Sequence, residues 1–343
     1  MQDALQMHYE IVVNAMADGD VIPFFGAGVN LCGRPPGTAW QRDQSQYLPS
    51  GGELSAYLAR NFRYPQAADA GDLVRVSQYV SLMRGSGPLY RELRQLFDAD
   101  YPPTSLHHFF AGLPSALRAK NYDPPPHQLI VTTNYDDLME GAYFAARVPF
   151  DLVAYVAEGQ NRGKFWHWAY APEEGREEEF WSQKWPPPVK ARLIERPNED
   201  KGIALDEDDR LFRPVILKIH GAVDRAGGAH DSYVITEDHY IDYLTRADIS
   251  SLVPATLVAK LKGSSFLFLG YSLRDWNLRV ILQRIWGEQQ LTFSSWAVQL
   301  NPPELDRRFW SKRNVEILNV TLEQYVEGLA QQVAALPALG GDV

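Results

Sequence analysis

The chain has 343 residues, 45% of them hydrophobic, which is ample for a sizeable core and for one large α/β domain with insertions or two smaller ones. With 33 basic and 43 acidic residues the net charge is −10, and the absence of a long basic run argues against a dedicated nucleic-acid binder and against an anionic membrane surface. Cys32 is the single cysteine, which excludes an intrachain disulfide framework and a Cys-rich zinc site and suits a reducing cytosol.

The first residues, MQDALQMHYEIV, lack the basic start and apolar run of a signal peptide. No stretch reaches the roughly 18 apolar residues of a membrane span, so a cytoplasmic protein is expected. Leu5, Tyr9, Val12, Val13 and Met16 recur at helical spacing and predict a helix over Ala4 to Ala17. Val21 to Phe25 is a short apolar run stopping at glycines, which reads as a buried strand. Residues 31–51 are rich in Gly, Pro, Gln and Ser and read as a loop. From 52 to 120 the pattern is helical, over Leu54 to Phe62, Leu73 to Met83, Pro88 to Phe97 and Leu106 to Ala119. No clear strand interrupts it, so a helical module is expected there, inserted after the first βα unit.

Gln128 to Thr133 predicts a second buried strand, Asp136 to Ala146 a helix, and Phe150 to Val156 a third strand. Residues 157–213 are acidic and rich in Pro and Trp, with little periodicity. They read as an elaborated insertion, partly ordered by its aromatics, and a loop of that length inside a domain is usually functional or mobile. Further strands are expected at Val215 to Ile219, Ser265 to Leu269, Phe293 to Leu300 and Val315 to Leu318. Helices are expected from Thr236 to about Leu244, over Ser251 to Lys262, over Asp275 to Trp286, and from Thr321 to Ala335. Strands alternating with helices predict a Rossmann-like, doubly wound, mainly parallel sheet, carried by a single domain over residues 1–343. Ligands of such sheets bind outside the carboxyl ends of the strands.

Unusual residues cluster at those ends. Gly26-Ala27-Gly28 follows the first strand. Glycines let a backbone approach a pyrophosphate and admit positive φ, but the next glycine is Gly33, so the spacing is not G-x-G-x-x-G. A phosphate cradle and a tight structural turn both remain open. There is no G-x-x-x-x-G-K-[ST], which disfavours a Walker ATPase. Thr133, Asn134 and Asp136 follow the second strand. Asn134 suits orienting a water or hydroxyl, while Asp136 suits either direct chemistry or capping of the next helix. His220, beside Gly221 at the end of an apolar strand, is the best acid–base candidate, since an imidazole titrates near neutral pH. A structural histidine is the alternative. Gly270-Tyr271-Ser272 is not a G-x-S-x-G nucleophile elbow; Ser272 and nearby amides suit a phosphate or ribose, or a helix cap. Asn301 follows the sixth expected strand. No histidine spacing suggests a metal site, and none is expected.

Taken in order, GAG, T-x-N-x-D, HG, G-x-S and a late Asn resemble the NAD-binding domain of sirtuins. Gly26-Ala27-Gly28-Val29-Asn30 is similar to the sirtuin G-A-G-x-S, with Asn30 in place of Ser. Thr132-Thr133-Asn134-Tyr135-Asp136 is similar to T-Q-N-x-D, His220-Gly221 to H-G, and Gly270-Tyr271-Ser272 to G-T-S, and Asn301 resembles the ribose-binding Asn. The four-cysteine zinc module of the protein deacylases is missing, as is G-I-P-D-F-R, so protein deacylation is disfavoured. The chain looks more like the sirtuin-like effectors of bacterial anti-phage systems, which hydrolyse NAD and often work as oligomers. Without a fused Argonaute-like or other sensor segment, it resembles the subunit paired with a HerA-type hexameric ATPase.

The resemblance implies NAD as substrate, with its pyrophosphate over Gly26 to Gly28, its adenosine half near Gly270, Ser272 and Asn301, and its nicotinamide riboside toward Asn134 and His220. Asn30 is expected to contact NAD or cap the first helix, Asp136 to orient Asn134 or bind the nicotinamide amide, and residues 157–213 to gate the cleft. Two other classes stay open: a sensor that binds NAD or an ADP-ribose derivative without cleaving it, and an assembly subunit built on the helical module.

Overall fold

The computed structural model of the chain describes residues 2–122, 125–197, 199–200, 202–203, 213–245, 253–271, 279, 282 and 293–340. Among them, nine strands form one open sheet: β1 (Val21–Phe25), β2 (Leu129–Thr132), β3 (Phe150–Tyr155), β4 (Phe165–Tyr170), β5 (Arg192–Ile194), β6 (Val215–Lys218), β7 (Ser265–Leu269), β8 (Ser295–Val298) and β9 (Val315–Leu318). Their order is β5-β4-β3-β6-β2-β1-β7-β8-β9. From β3 across to β9 every neighbouring pair is parallel. β4 runs antiparallel to both β3 and β5.

The central strands are apolar throughout because both faces are covered. β1 sends Val21 and Phe25 into one core and Ile22 and Phe24 into the other. The first core is covered by α1 (Gln2–Ala17), α5 (Ser105–Arg118), α6 (Leu138–Ala145) and α11 (Leu322–Ala335). The second is covered by α8 (Glu237–Thr245), α9 (Ala255–Gly263) and α10 (Glu304–Ser311). A third core joins α2 (Gly51–Asn61), α3 (Leu73–Arg84) and α4 (Ser86–Phe97) to Leu138 and to Val223, Tyr233 and Ile235 from the segment after β6. The starts of α2 and α11 carry reciprocal caps, Ser50 with Glu53 and Thr321 with Gln324, and Asp72 caps α3.

Within 157–213, the described residues include two strands that the composition does not reveal. β4 pairs with β3 over the whole stretch from Phe165 to Tyr170, and β5 adds a further strand. The turn between β3 and β4 uses Gly159 and Gly163 at positive φ. β4 is aromatic on both of its faces, with Phe165, Trp168 and Tyr170 buried and Trp166 half-buried, so no two-residue alternation marks it. Trp181 of α7 (Glu177–Trp181) and Trp185 then pack on Phe144, each with ring centroids 5.3 Å away. The expected strand over Phe293 to Leu300 is shorter, Ser295–Val298. Ser272 and nearly all of the helix expected over Asp275 to Trp286 lie outside the described residues.

Two turns meet at the middle of the sheet. Gly26 donates its N–H to Leu269 O at 3.0 Å, and Gly28 donates to Gly270 O at 2.8 Å. A Cβ on Gly28 would stand 2.6 Å from Gly270 O, and one on Gly270 would stand 2.2 Å from Val29 N. Gly270 also has φ +64°, which side chains other than glycine adopt at a cost. The backbones after β1 and β7 therefore touch where a side chain on either would part them. Replacing Gly270 with Ala is expected to destabilise the chain by about 2 kcal/mol or more, read as a lower urea midpoint with an unchanged slope.

Candidate active site at the strand ends

A cavity of about 430 Å³ opens over the carboxyl ends of β1, β2, β6 and β7. Ala27, Gly28 and Asn30 line it from β1, Thr133, Asn134 and Asp136 from β2, His220 from β6, and Gly270 with Tyr271 from β7. This is where the chain reverses direction across the sheet, β2 lying on one side of β1 and β7 on the other.

The ends of β1 and β2 are stitched together beyond their ladder. Thr132 Oγ donates to Phe25 O at 3.1 Å, Thr133 N–H donates to the same oxygen at 3.2 Å, and Asn134 N–H donates to Thr132 Oγ at 3.0 Å. Asn134 then gives its Nδ2–H to Gly26 O at 3.2 Å, so its carboxamide is fixed against the glycine turn. Among the described residues, the Asp136 carboxylate bonds Leu138 and Asn30. One of its carboxylate oxygens accepts the N–H of Leu138 at the start of α6 at 3.2 Å, and the other accepts Asn30 Nδ2–H at 2.7 Å. Asn30 is thereby tied to the β2 loop and makes no capping hydrogen bond to a described helix.

A buried ion pair lies beneath this loop. Lys218, the last residue of β6, is 1% exposed and reaches Glu140 Oε1 at 2.7 Å. The same ammonium donates to the backbone carbonyl of Asp136. Burial pushes the Glu140 carboxyl up, and Lys218 opposes it. Sequence reasoning missed this pair. The available signal was a charged residue in each of two otherwise apolar segments, VILK and LMEGAYFA.

His220 is 3% exposed, and its ring lies edge-on to Tyr240, with centroids 5.4 Å apart. It does not titrate near neutrality as expected for a free imidazole. Burial lowers its pKa to about 3, so the ring is neutral at pH 7. Asn301 is exposed, holds φ +50° and donates its N–H to Asn319 Oδ1 at 2.7 Å; it does not line the cavity.

The wall facing the strand ends comes from the helical layer: Ser50, Gly51, Gly52 and Leu54 at the start of α2, Leu73 of α3 and Phe97 of α4. Residues 157–213, expected to gate the cleft, supply none of the described lining. No Lys or Arg is among the described lining residues. Among the described residues, no group of three or more His, Cys, Asp or Glu is placed to hold a metal ion. No helix of the described residues is long and apolar enough to cross a membrane.

The SIR2-like domain model matches residues 128–318, from the residue before β2 to the end of β9. The chain belongs to the SIR2-like domain family. None of the curated proteins matches it at a significant level. SIR2-like domains bind NAD, and the matched span carries Asn134, Asp136, His220 and Gly270. The β1 glycine turn and the α2–α4 wall lie outside the match and join the site through the contacts described above.

The unfolded chain takes up a proton on a histidine ring near pH 6.5, whereas folded His220 resists until about pH 3. This group therefore withdraws stability as the pH falls through that window, by about 1.4 kcal/mol per pH unit. Its ring resonances are expected to hold neutral-imidazole positions from pH 8 to pH 5; a titration centred near 6.5 would contradict the assignment.

Proposed function

We propose that the chain is an NAD glycohydrolase, cleaving NAD to nicotinamide and ADP-ribose. The observation that carries this reading is the meeting of a fixed carboxamide, Asn134, and a neutral imidazole, His220, in one cavity at the sheet's switch point. Breaking the bond between the ribose and the pyridinium sends the electron pair to nicotinamide, which leaves neutral. Positive charge builds on the ribose in the transition state, and a protonated histidine beside it would oppose that charge. The low pKa of His220 keeps the site free of that cation. Asn134 holds the attacking water or the ribose hydroxyls near the anomeric carbon. As the water's oxygen bonds to that carbon, the neutral His220 ring accepts a hydrogen bond from it and the displaced proton passes to solvent. The cleavage needs no strong acid, because nicotinamide is already a good leaving group.

The resemblance to defence effectors supports a place in anti-phage NAD depletion, as an oligomer working with a HerA-type ATPase. Purified chain incubated with NAD is expected to release nicotinamide and ADP-ribose in equal amounts, alone or once that partner is added. Asn134→Ala and His220→Ala are each expected to cut the rate by about 10²-fold or more while melting as folded proteins. A wild type inert in both settings sinks the hydrolase, and full activity in both variants sinks the site assignment.

A further inference from the structure

The chain's net charge of −10 is unevenly placed. α10 and the turn after it carry Arg307, Arg308, Lys312 and Arg313, all exposed. The exposed acid of that stretch, Glu304, pairs with Arg308 at 2.8 Å. Among the described residues, Arg307, Lys312 and Arg313 have no carboxylate partner. A helix C-terminus favours a cation in its last turn, but like charges this close on one helix repel each other.

This basic face is also held in shape. The Arg313 guanidinium lies 3.7 Å from the centroid of the Phe309 ring and donates to Phe309 O at 3.2 Å, and Arg279 covers the same ring at 4.1 Å. A guanidinium fixed on an aromatic ring loses little freedom when it meets a partner. Leu305, three residues before Arg308 and so on the same side of α10, is 78% exposed and adds an apolar contact.

A surface of opposite charge lies on the same chain. Glu173, Glu174, Glu177, Glu178 and Glu179 are all exposed, at α7 and just before it. Arg176 pairs with Glu173 and Glu179, and Arg147 with Glu178. Glu174 and Glu177 pair with no described cation. Phe180 and Trp181 pack on Phe144 and hold this segment to the first core.

The two surfaces cannot meet within one molecule. α7 follows β4 and packs on the first core, whereas α10 precedes β9 and packs on the second, across the sheet. β4 and β9 are seven strand spacings apart. At about 4.8 Å per spacing that is about 34 Å. The screening length at physiological salt is about 8 Å, so the two patches do not feel each other in one copy. A second copy brings them together.

We propose that the basic face of α10 docks the acidic α7 segment of a second copy of this chain. The contact joins two different surfaces, so it is head-to-tail, and it closes into a ring or runs on as a filament. It rests on the oligomer of the proposed function and on nothing in the NAD cavity.

The test is sedimentation velocity of the full chain at low and high salt. The wild type is expected to associate at 50 mM NaCl, with a dissociation constant about tenfold or more higher at 500 mM. Glu174→Lys with Glu177→Lys, and Arg307→Glu with Lys312→Glu, are each expected to weaken association by at least as much while melting as the wild type does. All four changes in one chain swap the charges and are expected to restore it, a rescue that damage to either surface would not give. Reversed variants that assemble as the wild type does overturn this contact and leave an oligomer through another surface standing. A wild type that stays monomeric at 50 mM NaCl overturns both, including the case in which the basic face instead retards a labelled oligonucleotide.

Discussion

Everything at the site depends on two backbones being allowed to touch. The turns after β1 and β7 meet through Gly26, Gly28 and Gly270, with hydrogen bonds of 3.0 and 2.8 Å and no space for a side chain. That contact closes the floor between the two halves of the sheet and sets the height of the β1 turn relative to Asn134. It also answers what the glycines are for. Their primary service is to each other, and what they leave above them is a shaped cavity.

Electrostatics divides the site in two. The strand side is acceptor-rich, with Asp136, Asn30 Oδ1 and a neutral His220. The helical side presents the positive end of α2. A ligand that is anionic in one part and cationic in another matches that polarity. The cation of Lys218 is kept out of the cavity itself, committed to Glu140 and to the carbonyl of Asp136. Breaking one member of such a buried pair typically costs about 3–5 kcal/mol, because the other charge is stranded. The pair thus fixes the β2 loop to β6, and with it the spacing of Asp136 from His220.

The central strands were legible because each is a short apolar run that stops at glycine or at a polar residue. Ser265–Leu269 and Val315–Leu318 fall where the sequence puts them, and β1, β2, β3 and β6 lie within a residue of it. β4 and β5 were not legible. An aromatic run buried on both faces has no period, and three residues are too short to show one. Strand-end polar residues were enough to gather Asn134, Asp136 and His220 at one place. What they do there depended on contacts distant in sequence. Asn30 and Asp136 are 106 residues apart, so their bond leaves no local trace. The depression of His220 is likewise a property of the packed interior and not of the HG dipeptide. Asn301 shows the limit of position along a strand, since its backbone turns away to Asn319.

The edges of the sheet carry a consequence of their own. At one end β5 is three residues long and exposes Arg192; at the other, β9 is four residues long and exposes Glu316. Short, charged outer strands offer little for a neighbouring chain to template on. The antiparallel addition of β4 and β5 thus does more than widen the sheet: it replaces the edge of β3, six buried residues long, with a short polar margin. Growth by strand exchange between molecules is discouraged at both margins.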